Sequence, residues 1–470
     1  MRSPREFRQP LQISERKVLL VFLDLALLNL ALLVTLSVRL SFPLTASTVV
    51  ERASWFVLLS AAWALTASVA ELYDLRLTAR LPTGPIRAAL AVVTADALYL
   101  TLPYVTPNLL PSRLTLLWFF GTTTVFVAAW RAFYALVLVQ PSFRHRVVIV
   151  GAGRAGREVL AAMREHGRTE YVPEGFVDGE TAVGGEVEGA EVDGLPILGS
   201  YRDLPSVVER TQASEVVVAS SGSDDGDLLR ALVKCQEDGV MVTPVHRLLE
   251  DLTGAVPIEH ADGNLHIALP LDRPSPALYD AFKRLADLLL AAVGLLVVAV
   301  MTPLVAVALW LEDRGPLFYR QLRVGRGGRE FVLLKFRTMV ADAESNGVRW
   351  AGISDPRVTR VGRALRRFHL DELPQAVNVL RGEMSVVGPR PERPEIVAEL
   401  EALIPFYRTR LSVQPGVAGW AQVNFGYADS VEDAIVKLRY DLYYIKHRSV
   451  LLDAQILVRT VGHVFRYGGR

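Results

Sequence analysis

The chain has 470 residues, 51% of them hydrophobic and 21% charged, with a formal net charge of +1. That length suits about three domains, and a mean hydropathy of +0.28 is high for a soluble protein and points to several membrane segments. Cys235 is the only cysteine, which excludes an internal disulfide and a zinc-finger site and fits a reducing compartment.

Four apolar stretches open the chain, at about 18–40, 53–70, 87–106 and 114–139. Each is close to the ~20 residues a helix needs to cross the hydrocarbon core. Cations crowd the N-terminal tail (Arg2, Arg5, Arg8, Arg16, Lys17), the second loop (Arg76, Arg80, Arg87) and the exit of the fourth stretch (Arg144, Arg146). The first loop has only Glu51 and Arg52, and the third is uncharged until Arg113. The positive-inside rule then puts both ends of a four-helix transmembrane bundle, residues 1–143, in the cytoplasm. No cleavable signal peptide is expected, because the first apolar segment is too long and lacks a small-residue cleavage site. Asp24 and Asp96 lie inside these stretches, where they either mark a function or face other helices.

From residue 144 to about 270 the pattern is that of a soluble Rossmann-like α/β domain. Val147-Val148-Ile149-Val150 reads as a buried strand, and Gly151-Ala152-Gly153-Arg154-Ala155-Gly156 opens a helix running to about His166. Strand, glycine turn and helix are the context a dinucleotide fingerprint requires. Further strands are expected near 172–177, 195–198, 215–219 and 240–244. Asp178, about 25 residues past the motif, could bind a ribose hydroxyl. Two readings stay open: a nucleotide cofactor held by Gly151, Gly153, Gly156 and Asp178, or a scaffold whose glycines serve only the tight turn. Residues 179–194 read as a loop.

The third domain is expected over residues 271–470. Tyr279 and Lys283 have the Tyr-x-x-x-Lys spacing of short-chain dehydrogenases, but no serine precedes them at the expected place, so the spacing is read as coincidence. Residues 285–311 are apolar apart from Asp287 and are interrupted at Thr302-Pro303. As a straight helix they would be about 40 Å long, enough to span a bilayer. An internal proline breaks a helix hydrogen bond and bends the axis.

Period-2 alternation in Phe331-Val332-Leu333-Leu334-Lys335-Phe336-Arg337 puts Lys335 and Arg337 on one face of a strand, where they could act together on a diphosphate. Arg357, Arg360, Arg363, Arg366 and Arg367 follow, with Arg366 and Arg367 as the candidates for a phosphate and the others for lipid headgroups. Next comes Leu370-Asp371-Glu372-Leu373-Pro374-Gln375. Proline and the following Ala376 to Leu380 suggest a helix start, where the backbone dipole would hold a carboxylate ionised. Adjacent residues do not share a helix face, so Asp371 could attack while Glu372 binds a cation. Two φ-locked residues flank the arginine in Gly388-Pro389-Arg390-Pro391, which presents its guanidinium rigidly for a bidentate phosphate contact. Pro415-Gly416 and Gly419 suggest a turn, with Gln422 and Asn424 as polar contacts or structural groups. Residues 450–465 carry Asp453, Arg459 and His463 at near-helical spacing, which suggests an interfacial helix.

These motifs resemble the catalytic domain of the bacterial polyprenyl-phosphate hexose-1-phosphate transferases. The matching segments are Lys335-Phe336-Arg337-Thr338-Met339, Leu370 to Gln375 with Asn378, Met384 to Glu392, and Pro415 to Asn424, in the family's order. The resemblance implies transfer of hexose 1-phosphate from a UDP-hexose to undecaprenyl phosphate, the first membrane step of exopolysaccharide or O-antigen synthesis. It implies Asp371 as the nucleophile of a covalent aspartyl-phosphosugar, Glu372 as the Mg²⁺ ligand, and Lys335 and Arg337 beside them. The donor would be met by Arg366, Arg367, Arg390, Gln422 and Asn424. Because nucleotide sugars are cytoplasmic, the apolar segment 285–311 is expected to be a re-entrant helix–break–helix under a monotopic catalytic domain on the cytoplasmic face of the inner membrane. The C-terminal tail is similar to members that transfer glucose or galactose phosphate. A homodimer in the lipid bilayer is expected, with no nucleic-acid partner. The rival reading, a membrane-anchored NAD-dependent nucleotide-sugar dehydratase or epimerase, lacks a Ser/Thr–Tyr–Lys set. A scaffold with a degenerate site is opposed by the intact Asp371-Glu372 pair.

Overall fold

The computed structural model describes residues 13–40, 45–70, 72–73, 83–101, 106–107, 109, 112–138, 145–166, 171–179, 191–220, 226–260, 277–340, 357–425 and 430–467. The side chains of the N-terminal cations through Lys17, Arg76, Arg80, Arg144, most of the 179–194 loop and the Gly426-Tyr427 pair lie outside the described residues. The chain divides into two compact units, residues 1–253 and 254–470.

The first unit begins with four apolar helices: α1 (Ile13–Leu40), α2 (Ala53–Val69), α3 (Thr83–Leu100) and α4 (Arg113–Phe133), the last prolonged by a π-helical turn to Leu138. They share one core of Leu28, Leu32, Leu36, Leu59, Trp63, Val92, Tyr99, Phe119 and Val127. Their outer faces are apolar too, with Phe22, Val57, Leu90, Leu117, Val125 and Phe133 exposed. A helix that is apolar all round belongs in a hydrophobic solvent. Val18–Arg39 and Arg113–Val137 are long and apolar enough to cross a membrane, while Ala53–Ser68 is shorter.

The two acids within the apolar helices, Asp24 and Asp96, face neighbouring helices. The guanidinium of Arg131 in α4 pairs with both oxygens of Asp24 in α1, and its third nitrogen donates to Leu72 O at 2.9 Å. Asp96 accepts from Thr123 Oγ1 at 2.6 Å. Arg131 and Asp24 are completely buried, and among the described residues each is the other's ion-pair partner.

After the bundle come short buried strands separated by helices that bury one face. Strands β1 (His145–Val150), β2 (Tyr171–Val177), β3 (Glu191–Val192), β4 (Leu195–Gly199), β5 (Glu215–Val218) and β6 (Met241–Pro244) form one sheet in the order β3-β4-β2-β1-β5-β6. All neighbours are parallel except β3 and β4. Val147 and Ile149 pack toward α5 (Arg154–His166) and α8 (Val245–Thr253). Val148 and Val150 pack toward α6 (Leu204–Thr211) and α7 (Gly226–Glu237). Helices on both faces make this a doubly wound parallel-sheet domain, as the strand–glycine turn–helix pattern led us to expect.

The second unit is built along α9 (Ala277–Glu312). Helical hydrogen bonding runs through Pro303, so the two halves expected on either side of it belong to one helix. Both halves bury side chains in the same unit, Ala291 beside Ala376 and Val379, and Val298, Val305 and Leu309 beside Phe336 and Leu365. That shared support holds the segment helical despite the missing proline N–H. Leu278, Phe282, Leu285, Leu289, Val293, Leu296, Val300, Leu304, Val307 and Leu311 form the opposite, exposed stripe at intervals of three and four.

Against the docked face of α9 lie the antiparallel hairpin β7 (Phe318–Val324) and β8 (Glu330–Phe336), helix α10 (Arg360–Arg367), and a 3-10 turn, Leu370–Gln375, that runs into α11 (Ala376–Arg381). Strand β9 (Ser385–Val387) follows, then α12 (Pro394–Leu403) and a 3-10 segment, Tyr407–Ser412. Strand β10 (Gly416–Ala418) pairs in parallel with β9, and α13 (Trp420–Asn424), α14 (Val431–His447) and α15 (Val450–Tyr467) complete the unit. This unit starts near residue 254 rather than 271. Val256 is fully buried in its core, Val256 N donates to Arg439 O, and Trp420 Nε1 donates to Gly254 O.

Replacing Arg131 by Met should destabilise the bundle by about 3–5 kcal/mol, because it strands a buried carboxylate. Thermal unfolding of the detergent-purified chain would show a clear drop in melting temperature. An unchanged transition would contradict the pairing with Asp24.

Candidate active site

Charge fastens α9 to the catalytic fold at both ends. Near its start, Tyr279 Oη and Lys283 Nζ both donate to Asp453 of α15, at 2.9 and 3.0 Å. The Tyr-x-x-x-Lys spacing is thereby explained as two positions on one helix face. Arg284 donates to Val379 O and Leu380 O, and buried Asp287 accepts from Ser385 Oγ and Val386 N. At the far end, Glu312 accepts from the backbone N–H groups of Arg360 and Val361, capping α10 together with the Thr359 hydroxyl.

That framework sets the Asp371-Glu372 pair. The Asn378 amide sutures α11 to β8 by accepting from Leu334 N and donating to Val332 O, and it also reaches Glu383. This places Lys335 of β8 over the 3-10 turn. Glu372 Oε1 accepts from Lys335 Nζ and from Arg390 Nη2, each at 2.7 Å. His369, just before the pair, is held in the left-handed region at φ 53°, a conformation costly for a residue with a side chain.

The two adjacent carboxyls sit in opposite electrostatic states. Burial pushes the Glu372 carboxyl up, but Arg390 and Lys335 outweigh it and hold Glu372 well below the usual carboxylate range. Asp371, 8% exposed, is raised, first by burial and then by the negative charge of Glu372, against Lys335, Arg366 and His369. Burial also lowers the ammonium of Lys335, with Glu372 opposing it. The expectation that a helix dipole holds Asp371 ionised is therefore corrected: a single 3-10 turn supplies less than burial removes. Among the described residues the Asp371 carboxyl accepts no hydrogen bond, which leaves it free to react.

Other expected contacts fall elsewhere. Arg337 does not join Lys335. Its guanidinium makes a bidentate pair with Asp313 and donates through Nε to Pro316 O, so it is 4% exposed and closes the turn after α9. Its hydrogen bonds also hold Asp313 below the usual carboxylate range. Arg366 donates through Nε to Thr338 Oγ1 at 2.9 Å and acts on Asp371 electrostatically. Arg367 is exposed and lies over the Phe368 ring. Asn424 donates to Trp420 O and accepts from Arg459, and Gln422 leans weakly on Val417 O with its own carbonyl oxygen unpartnered. Asn424 thus fixes α13 to α15, and its reach toward a donor is not what the geometry displays. Sequence reasoning missed the suturing role of Asn378, although its place in the motif was visible.

The acidic groups here are Asp371 and Glu372, and no group of three or more His, Cys, Asp or Glu occurs among the described residues. That suits Mg²⁺, which commonly takes one or two carboxylates and draws the rest from substrate phosphates and water.

In the parallel-sheet domain, Gly151 has φ +101°, which favours glycine. A Cβ on Gly156 would lie 2.0 Å from Gly151 O, so the helix can approach the strand only without one. Ala152 N donates to Asp178 Oδ2 at 3.0 Å. These three residues are thus accounted for within the fold, while Gly153 borders open space.

Comparison with known proteins agrees with this geometry. The family model described as "Bacterial sugar transferase" matches residues 278–467, and one described as "CoA-binding domain" matches 68–245. A UDP-glucose:undecaprenyl-phosphate glucose-1-phosphate transferase of Escherichia coli (strain K12) is 32% identical over 71% of this chain and 74% of its own length. Its counterpart in Xanthomonas campestris pv. campestris is 33% identical over 74% and 73%. A UDP-N-acetylgalactosamine-undecaprenyl-phosphate N-acetylgalactosaminephosphotransferase of Aeromonas hydrophila is 41% identical over 53% of this chain, which spans 58% of that relative. The chain belongs to the bacterial sugar transferase family, whose matched members are undecaprenyl-phosphate sugar phosphotransferases.

Because Lys335 lowers the Asp371 pKa, replacing it by Met should raise that pKa further. If Asp371 is the nucleophile, as the resemblance implies, it must be deprotonated, so activity would be lost at a higher pH on acidification. In a pH–rate profile the acid limb should move to higher pH by about one unit, and an unmoved or lowered limb would contradict the assignment.

Proposed function

We propose that the chain transfers hexose 1-phosphate from a UDP-sugar to undecaprenyl phosphate and releases UMP. The observation that carries this reading is the division of labour between neighbours: Glu372 absorbs Lys335 and Arg390, while Asp371 is buried and accepts no hydrogen bond among the described residues. An Asp371 oxygen attacks the phosphorus bearing the sugar. The bond from that phosphorus to the bridging oxygen breaks, UMP departs, and an aspartyl-phosphosugar forms. A phosphate oxygen of the lipid then attacks the same phosphorus and returns the carboxylate. Such transfers depend mainly on positioning and on charge stabilisation of the phosphoryl oxygens. Lys335, Arg390 and Arg366 supply fixed positive charge around the reacting acid, and burial excludes water. Mg²⁺, held by Glu372 and the donor phosphates, would supply further neutralisation.

The acceptor's lipid nature fits the apolar stripe of α9. Cytoplasmic orientation in the inner membrane, crossing by all four bundle helices, and a re-entrant α9 form one consistent topology. Its support is that residues 279–287 and 312–313 of α9 bond to the same unit. For the sugar, glucose or galactose is the reading of the C-terminal tail, while the Aeromonas relative's name makes N-acetylgalactosamine the alternative. A role in exopolysaccharide or O-antigen initiation, a homodimer, and a nucleotide near Gly153 belong to the same proposal. The dehydratase reading is weakened because Tyr279 and Lys283 both engage Asp453.

Purified protein given Mg²⁺, undecaprenyl phosphate and a panel of UDP-glucose, UDP-galactose and UDP-N-acetyl sugars should release UMP from one donor class. Asp371→Asn should reduce release to background with expression unchanged. Normal turnover by that variant would remove the nucleophile assignment.

A further inference from the structure

Arg390 reaches Glu372 from a loop whose own placement needs explaining. Pro389 and Pro391 have no N–H to donate, so the loop is gripped through its carbonyls. Four in succession are taken: Pro389 O by Gly416 N (2.9 Å), Arg390 O by Arg410 Nη2 (2.9 Å), Pro391 O by Arg323 Nη1 (2.8 Å) and Glu392 O by Val324 N (3.0 Å). Two of the four donors are therefore arginine side chains from distant parts of the chain.

Arg410 stands out between them. Its Nη2 also bonds Asp441 Oδ2 of α14 at 2.9 Å, and its Nη1 bonds Tyr407 Oη at 2.6 Å. The side chains of Arg410 and Asp441 are 5% and 2% exposed. Buried ion pairs are weak sources of stability, since desolvation offsets the attraction. Here the pair does something an apolar replacement could not: it aims a fixed guanidinium at the main chain of the residue that holds Glu372.

We infer that Arg410 and Asp441 are positioning residues, setting the loop from which Arg390 grips Glu372. They touch neither Asp371 nor Glu372 and act through Arg390. Tyr407 fixes the arginine's other nitrogen, and Asp441 keeps its charge balanced where both side chains are buried. The inference deepens the proposed function and rests on it.

The test uses the full-length protein with Arg410→Lys and Asp441→Asn, each also made in an Arg390→Ala background. Either single change should lower kcat about tenfold with the donor KM moved by less than about twofold, the signature of an interaction realised in the transition state. In the Arg390→Ala background neither should lower kcat further, as expected for coupled residues. Hydrogen exchange should quicken at the amides of Arg390 and Glu392 while the rest of residues 254–470 is unchanged. Losses that multiply across backgrounds, or exchange that rises throughout the unit, would make the pair merely structural and overturn the inference. If the wild-type protein released no UMP from any donor, the proposed function would fail, while the exchange comparison would still decide whether the pair sets the loop.

Discussion

An apolar helix tied by charge at both ends to one folded unit is the constraint on which the rest depends. The outward stripe of α9 belongs in hydrocarbon, yet Lys283, Arg284 and Asp287 at one end and Glu312 and Asp313 at the other make polar contacts within the catalytic fold. Both ends of this helix of 36 residues are therefore bonded to one folded unit, which is what supports the proposed re-entrant placement. The same docking sets α10, the 3-10 turn and β9, and with them Asp371.

At the site, two adjacent carboxyls are driven apart by their surroundings. Glu372 gains two cations at 2.7 Å and stays ionised, and its negative charge combines with burial to raise Asp371. Pairs of titratable groups pushed in opposite directions are a recurrent way of assigning separate roles to like residues. Asp371 is thereby a carboxyl whose reactivity is set by neighbours more than by its own backbone.

Much of this was legible in the sequence, and the failures have a common cause. The length of the apolar runs exposed the four helices, and a short buried run before a glycine turn exposed the wound sheet, because burial leaves a local record. The glycine turn was readable since Gly151 and Gly156 answer local steric demands. Asp371, Glu372, Lys335 and Arg390 were found as a motif, and the structure brings the last three together. Arg337 was misread because alternation fixes the face of a strand but not the partner, and Asp313, 24 residues earlier, claims its guanidinium. The start of the second unit was missed because Val256 finds its core against α14, far along the chain. The positive φ of His369 and the grip on the Pro389–Glu392 carbonyls leave no periodic trace.

Cysteine accessibility tests the central claim most directly. In a Cys235→Ser chain, single cysteines at Ala277, the exposed first residue of α9, and at Arg314, just past its end, mark the two ends of the helix. A membrane-impermeant maleimide should label neither in intact cells and both in inside-out vesicles. Labelling of one position from outside and the other from inside would make α9 a span and contradict the account.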